Sequence, residues 1–266
     1  MSIPSRFGEL LRGWRVRRRL SQLELAGEAG ISTRHLSFIE TGRAQPSREM
    51  ILRLSGHLEL PLREQNILLT SAGFAPVFEH RPLDDPALEG YRGMIETVLA
   101  AHEPYPALAV DRHWNLIAHN RVVGRFLALL GPAQTRPPVN VLRLTLHPEG
   151  LAPRVLNLLE WRAHLLERLR RQARTSADPV LNALYNELSA YPVGGHALNG
   201  PHHRDSTSNV VVPVRLTTAS LTLSFFSTTM VFGTPVDVTI SELAIEFFFP
   251  ADPQTVEYMH SLARST

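Results

Sequence analysis

The chain has 266 residues, enough for two ordinary domains, and no cysteine, which excludes disulfides and thiolate metal or catalytic sites. The formal net charge is only +2, and all 27 basic residues are Arg, so the isoelectric point of 9.4 is no argument for nucleic acid by itself. No uncharged run approaches membrane-spanning length and no signal-peptide pattern is present, so no membrane partner and a cytoplasmic location are expected.

Residues 5–19 place Phe7, Leu10, Leu11 and Trp14 on one face of a first helix. Residues 1–20 also gather six Arg against one Glu, a local density suited to phosphates. Ser21, with Glu24 three residues on, makes a capping box for a second helix, Gln22 to about Ala29. Gly30 tolerates the positive φ of a tight turn. Ser32 caps a third helix, Thr33 to Glu40, and Gly42 lies just past its end. Leu25, Ala26, Ile31, Leu36 and Ile39 face inward, which leaves Thr33, Arg34, Ser37 and Thr41 outside. Such a pair places its second helix in the DNA major groove. An ordinary helical hairpin is the alternative, but it requires neither a turn glycine nor a basic surround. Ser47 then caps a fourth helix, about residues 48–58, and Pro61 opens a fifth that ends near Ser71.

Residues 74–90 are rich in Pro and charge, and a linker is expected at 76–90 between a head, 1–75, and a body, 91–266. A short helix at about 87–102 precedes two strands with alternating apolar residues, Leu108 and Val110, then Trp114, Leu116 and Ala118. Asn120 can cap the helix that follows. The stretch 133–150 reads as irregular around a short apolar segment, and 151–174 as the longest helix, with Pro153 in its first turn. Its inner stripe is Leu151, Val155, Leu158, Leu159, Leu165, Leu166 and Leu169. Asp178 caps a further helix to about residue 190. Residues 191–209 form a loop whose His196, His202 and His203 fit no standard metal spacing, so no metal is expected. Three strands close the chain: Val210–Leu216, one within 220–233, and one within 239–249 with Leu243, Ile245, Phe247 and Phe249 on its apolar face. Asp252 starts a last helix. The expected fold is thus an all-α five-helix head and an α+β body with a five-stranded antiparallel sheet, apolar on one face.

Gln22, Ala26, Gly30, Ile31, Leu36, Ile39 and the run SFIETG at 37–42 resemble the XRE family, the lambda-repressor-like helix-turn-helix regulators, over roughly residues 5–74. The resemblance implies that Gln22 touches a phosphate and that Ser32, Thr33, Arg34 and Phe38 face the groove. It also implies that Arg15 pairs with Glu40, the residue ending the recognition helix. Phe38 departs from a polar reader and would pack on a thymine methyl or on sugar. Arg17, Ser37 and Arg43 complete the expected DNA-binding set.

The runs 102–120, 142–171 and 232–255 resemble the ligand-binding domain of MmyB-like regulators, which couple an XRE head to a PAS-like body. The resemblance implies a pocket for a small apolar or amphipathic ligand such as a fatty acid, with no resident cofactor. Its walls would come from Trp114, Leu116, Phe126, Leu142, Leu158, Trp161, Phe225, Met230 and Phe247, with Arg143, Asn157 and His164 as polar members. Asn157 could instead cap backbone, and His164 could face solvent. A body packed solid and serving only to dimerise is the alternative. An enzyme is the remote one, since no nucleophile elbow, phosphate-binding Gly loop or HExxH is present. The expected partners are double-stranded DNA, as a pseudo-palindrome read by a homodimer in the bacterial nucleoid, and a small molecule.

Overall fold

The computed structural model describes residues 6–128, 130–132, 134–192, 212–218 and 221–264. The chain forms two compact units, one running to Leu83 and also taking in Thr234–Ser241, the other holding Asp84–Gly233 and the residues from Glu242 on.

The first unit, the head, contains α1 (Arg6–Arg17), α2 (Gln22–Glu28), α3 (Thr33–Glu40), α4 (Arg48–His57) and α5 (Leu62–Ser71). The caps are those the sequence asks for. Ser21 and Glu24 close a reciprocal capping box, Ser32 accepts from the His35 N–H, and Ser47 accepts from the Met50 N–H. Leu11, Leu25, Leu36, Ile39, Ile51 and Leu54 are fully buried at the centre. Gly30 turns the chain between α2 and α3 at φ +65°. Gly8 serves close approach: a Cβ there would lie 2.3 Å from the Glu40 carbonyl oxygen, so only glycine lets α1 reach the end of α3.

Part of the stretch expected as a linker is built into the head. The Asn66 side chain accepts from the Val77 and Phe78 N–H groups and donates to the Phe78 carbonyl, supplying partners that a Pro-rich strip cannot supply itself. The head also includes α11 (Val238–Ser241), where a strand was expected. Asp237 explains the difference: its carboxylate accepts from the Thr239 N–H at 2.7 Å and its carbonyl from the Ser241 N–H, which starts a helical turn. Val238 and Ile240, each 1% exposed, bury that turn, and Arg81 pairs with Asp237 at 3.3 Å.

The second unit, the body, begins with a 3-10 turn at Pro86–Leu88 and α6 (Glu89–Ala101). It continues through β1 (Ala107–Val110), β2 (Leu116–His119), α7 (Arg121–Ala128), α8 (Val141–Leu146), α9 (Leu158–Ser176) and α10 (Pro179–Ala190). It ends with β3 (Val214–Thr217), β4 (Thr222–Val231), β5 (Ala244–Pro250) and α12 (Pro253–Arg264). The strands form one antiparallel sheet in the order β2-β1-β5-β4-β3. Asn120 caps α7 through the Val123 N–H, and Asp178 caps α10 through the Val180 N–H.

Two helical readings change. The segment expected to be irregular holds α8, which Asn140 caps by accepting from the Arg143 N–H. The long helix starts only at Leu158. Before it, Pro153 lies in a separate 3-10 turn, Val155 is extended and bridges Leu216 of β3, and at the turn that follows Leu156 N donates to the Arg215 carbonyl at 2.8 Å. Leu159 consequently leaves the expected stripe and is 38% exposed. The loop bearing His196, His202 and His203, and the first residues of the strand expected at 210–216, lie outside the described residues.

The sheet is apolar on both faces, not one. Directly paired residues share a face, so the register puts Leu108, Phe248, Phe225, Val214 and Leu216 on one side. Ala109, Ile245, Phe247 and Phe249 lie on the other. The first side joins the main core with α8, α9 and α10. On the second side, the His102 ring that follows α6 packs edge-on to Phe247 and Phe249 at 5.0 and 4.7 Å, and its Nε2 donates to the Phe248 carbonyl.

Candidate DNA-binding face and ligand cavity

In the head, α3 is held by charge. Arg15 Nε and Nη2 grip the two Glu40 carboxylate oxygens at 2.7 and 2.9 Å, and Nη1 donates to the Leu20 carbonyl. The side chains are 10% and 2% exposed, so this is a buried bidentate pair, and Glu40 holds the Arg15 pKa above its ordinary value. Gln22, expected at a phosphate, donates its amide to Glu40 Oε2 at 2.7 Å in this DNA-free structure and ties α2 to α3. The basic run divides likewise. Arg18 donates to the Leu58 and Glu59 carbonyls at the end of α4, whereas Arg12, Arg17 and Arg19 stay exposed.

The outward side of α3 carries Ser32 and Arg34 exposed, and Thr33, Ser37 and Phe38 half-buried. Phe38 gathers two arginines over its ring, Arg34 at 5.3 Å and Arg43 at 5.9 Å. It therefore presents paired guanidinium groups as well as its own apolar edge. Arg17 lies over Trp14 at 5.1 Å. Sequence reasoning passes over His35, which shares the first turn of α3 with Arg34 and is half-buried; its position at the helix start was the available signal.

The body contains an apolar cavity of about 120 Å³ between the sheet and α7, α8 and α9. Leu108, Phe248 and Phe225 come from the sheet, Phe126 from α7, Leu144 from α8 and Trp161 from α9. Of the expected wall residues, Leu116, Phe126, Trp161 and Phe225 meet here. Trp114, Leu142 and Leu158 are buried in the surrounding core without lining it. Met230 and Phe247 stand on the opposite face of the sheet, because in β5 it is Phe248 whose pleat points to the cavity side.

The expected polar members are occupied elsewhere. Arg143 forms a bidentate pair with Glu187 at 2.8 and 2.7 Å in a half-exposed position. Asn157 donates to the Pro213 carbonyl and accepts from the Arg215 N–H, pinning the start of α9 to β3. His164 stacks on Trp161 at 5.3 Å; burial, then Arg168 and Arg171, lower its pKa, which favours the neutral ring.

Two charged clusters brace the body. Arg168 of α9 grips buried Glu246 of β5 at 3.0 and 2.6 Å, donates to Thr229, and lies 4.6 Å over the Trp114 ring. Asp178 receives Arg112 and His113, and Arg112 also reaches Glu242 at 2.9 Å. Burial alone would raise the Asp178 pKa, but hydrogen bonds from His113, the Val180 N–H and Arg112 outweigh it and hold the group below the usual carboxylate range. Among the described residues, no three His, Asp or Glu side chains form a group that could hold a metal, and no helix is long and apolar enough to cross a membrane.

Comparison with known proteins bears on both parts. The family model for the MmyB-like transcription regulator ligand binding domain matches residues 92–262, and a helix-turn-helix domain model matches residues 6–66. No curated protein matches the chain. Among solved structures, an RNA-binding light-oxygen-voltage receptor is similar at 14% identity over 97% of this chain and 64% of its own, with a TM-score of 0.26, too low to carry an argument. The ligand-binding model alone spans well over half of the chain, so a DNA-binding helix-turn-helix head and a cavity-bearing body meet here in a member of the MmyB-like transcription regulator family.

Proposed function

We propose that the head binds a pseudo-palindromic operator as half of a homodimer, and that a small apolar molecule in the body alters its affinity. The domain pair makes the chain a ligand-responsive transcription regulator in outline. The observation that carries the finer reading is the apolar cavity beside Trp161. A body that only dimerises has no use for a void, and a void costs packing energy. The strand order, two strands, helices, then three antiparallel strands, supports a PAS-like sensor body.

A fatty acid is the amphipathic ligand expected from sequence. At about 120 Å³ the cavity favours a short molecule over a long acyl chain; pockets for drug-sized ligands are roughly 300–1,000 Å³. Dimerisation follows from the reader: one helix-turn-helix contacts few base pairs, and paired heads read half-sites about 34 Å, or a multiple, apart. Coupling has a covalent route, because Thr234–Ser241 is a head segment while β4 and β5 on either side are body strands. This is regulation by binding, with no catalytic step, acting on chromosomal DNA in the cytoplasm.

Native mass spectrometry of the purified protein, with and without operator DNA, tests the reading. The expected species is a dimer carrying a small molecule. Removing that molecule should change DNA affinity, and DNA should change ligand affinity by the same factor. A monomer with an empty body, indifferent to extracted ligand, would rule the reading out.

A further inference from the structure

Phe38 stands where an apolar ring is least expected. Successive helical residues turn by about 100°, and the buried members of α3 are Leu36, Ile39 and Glu40. The opposite direction falls between Arg34 and Phe38, so both sit on the outward line of the helix. Phe38 is half-buried and is not among the buried residues of the head core. Two guanidinium groups lie over its ring instead, Arg34 at 5.3 Å and Arg43 at 5.9 Å.

Helix geometry explains the first contact. Side chains lean toward the helix N-terminus, so Phe38 reaches back one turn to Arg34. A guanidinium resting on a ring gives up rotamer freedom before DNA arrives, and less remains to be lost when it meets a base.

The two groups carry complementary base chemistry. An Arg fork takes guanine O6 and N7, and a Phe side chain packs on the thymine C5-methyl. Their separation sets the spacing. Two base-pair steps span about 6.8 Å, more than the 5.3 Å between the Arg34 guanidinium and the ring centre. The pair therefore addresses one base pair or two neighbours. A G·C pair carries no C5-methyl, which leaves neighbours.

We propose, resting on the reading of the head as an operator binder, that Arg34 and Phe38 act as one unit that reads two adjacent base pairs. Arg34 takes the guanine of one, and Phe38 takes the thymine methyl of the other. Each half-site of the operator therefore holds a G·C pair beside an A·T pair, and the thymine is recognised by its methyl group.

The test starts with full-length protein selecting binding sites from randomised DNA duplexes. The parent should enrich a motif with a G·C pair next to an A·T pair in each half-site. Repeated with R34A, the selection should no longer fix the guanine. On the best parental duplex, the adjacent thymine is then replaced by deoxyuridine, which removes the methyl and keeps every base-pairing group. Deoxyuridine in one half-site should weaken the parent about four-fold, the worth of burying one methyl-sized group. F38A should bind the two duplexes within about two-fold of each other. A parent indifferent to deoxyuridine overturns the methyl contact, and that arm needs no variant to fold. An F38A variant that shows the same four-fold penalty gives the methyl to another residue, and an R34A selection that still fixes the guanine takes Arg34 off it. An enriched motif without the adjacent pairs overturns the reading unit alone. A parent that enriches no motif takes down the operator reading, and the unit with it.

Discussion

The head and the body put their buried charge to different uses. In the head, charge is spent on fixing the reader: Arg15 and Gln22 converge on Glu40, and Arg18 and Arg53 close carbonyls at the ends of α4 and α2. In the body, the ion pairs brace the frame around the sheet, and the middle holds an apolar cavity. A DNA reader gains from a helix that does not move. A receptor gains from room for its ligand. The contrast sets an order of expected effects.

The largest is at Glu40. Glu40→Ala leaves the buried Arg15 guanidinium without its partner and should cost about 3–5 kcal/mol of head stability, read as a shift in urea unfolding followed by Trp14 fluorescence. Replacing both partners, Arg15→Met with Glu40→Leu, should recover much of that loss, because the cost comes from the stranded charge. A Glu40→Ala variant that unfolds like the parent would remove the clamp from the account. Gly8→Ala should cost about 1–3 kcal/mol in the same assay, since the added Cβ meets the Glu40 backbone and not a flexible side chain.

On DNA, the comparison predicts two distinct phenotypes within the head. Arg34→Ala should lose about 1–3 kcal/mol of discrimination between operator and scrambled DNA. Arg17→Ala should weaken both alike and reduce the salt slope by about 1. Isotherms at several salt concentrations separate them, and equal losses on both DNAs for Arg34→Ala would move Arg34 off the base edges. In the body, Glu246→Gln should cost less than the head clamp, about 1–2 kcal/mol, because the Arg168 side chain is 31% exposed and can rehydrate.

Local features were legible in the sequence. Ser21, Ser32, Ser47, Asn120 and Asp178 all cap where they stand, since a cap depends only on the next few residues. The Arg15–Glu40 pair was legible through family resemblance, and the strand content through alternation. What failed was long-range. Phe247 and Phe248 are equally apolar, and only the pairing of β5 with β1 and β4 decides which one points to the cavity. Glu246 reads as a solvent-facing strand residue until α9 brings Arg168 to it from 78 residues away. The four residues of α11 are too short for any period, and their docking in the head decides their form. The cavity is a property of several elements packing incompletely, so no single stretch encodes it.

The smallest effect expected is a pH effect at the rim of the body. Asp178 joins the start of α10 to the β1–β2 turn through Arg112 and His113. Its pKa in the folded protein lies below the usual carboxylate value despite burial, because His113, the Val180 N–H and Arg112 favour the ionised form. A carboxylate with a depressed folded-state pKa stabilises the fold above its unfolded pKa of about 3.9. That contribution fades as pH falls through the window between the two values, where the folded protein must take up a proton it resists. Body stability should therefore decline in acid, and Asp178→Asn should flatten the decline while lowering stability at neutral pH. The flattening will be partial, because Glu187 beside Arg143 and Glu103 beside Arg121 are depressed as well. Denaturant midpoints between about pH 5 and 3, compared for parent and Asp178→Asn, give the slope directly. Identical slopes would show that the Arg112–His113–Asp178 cluster holds geometry without contributing to the acid sensitivity of the body.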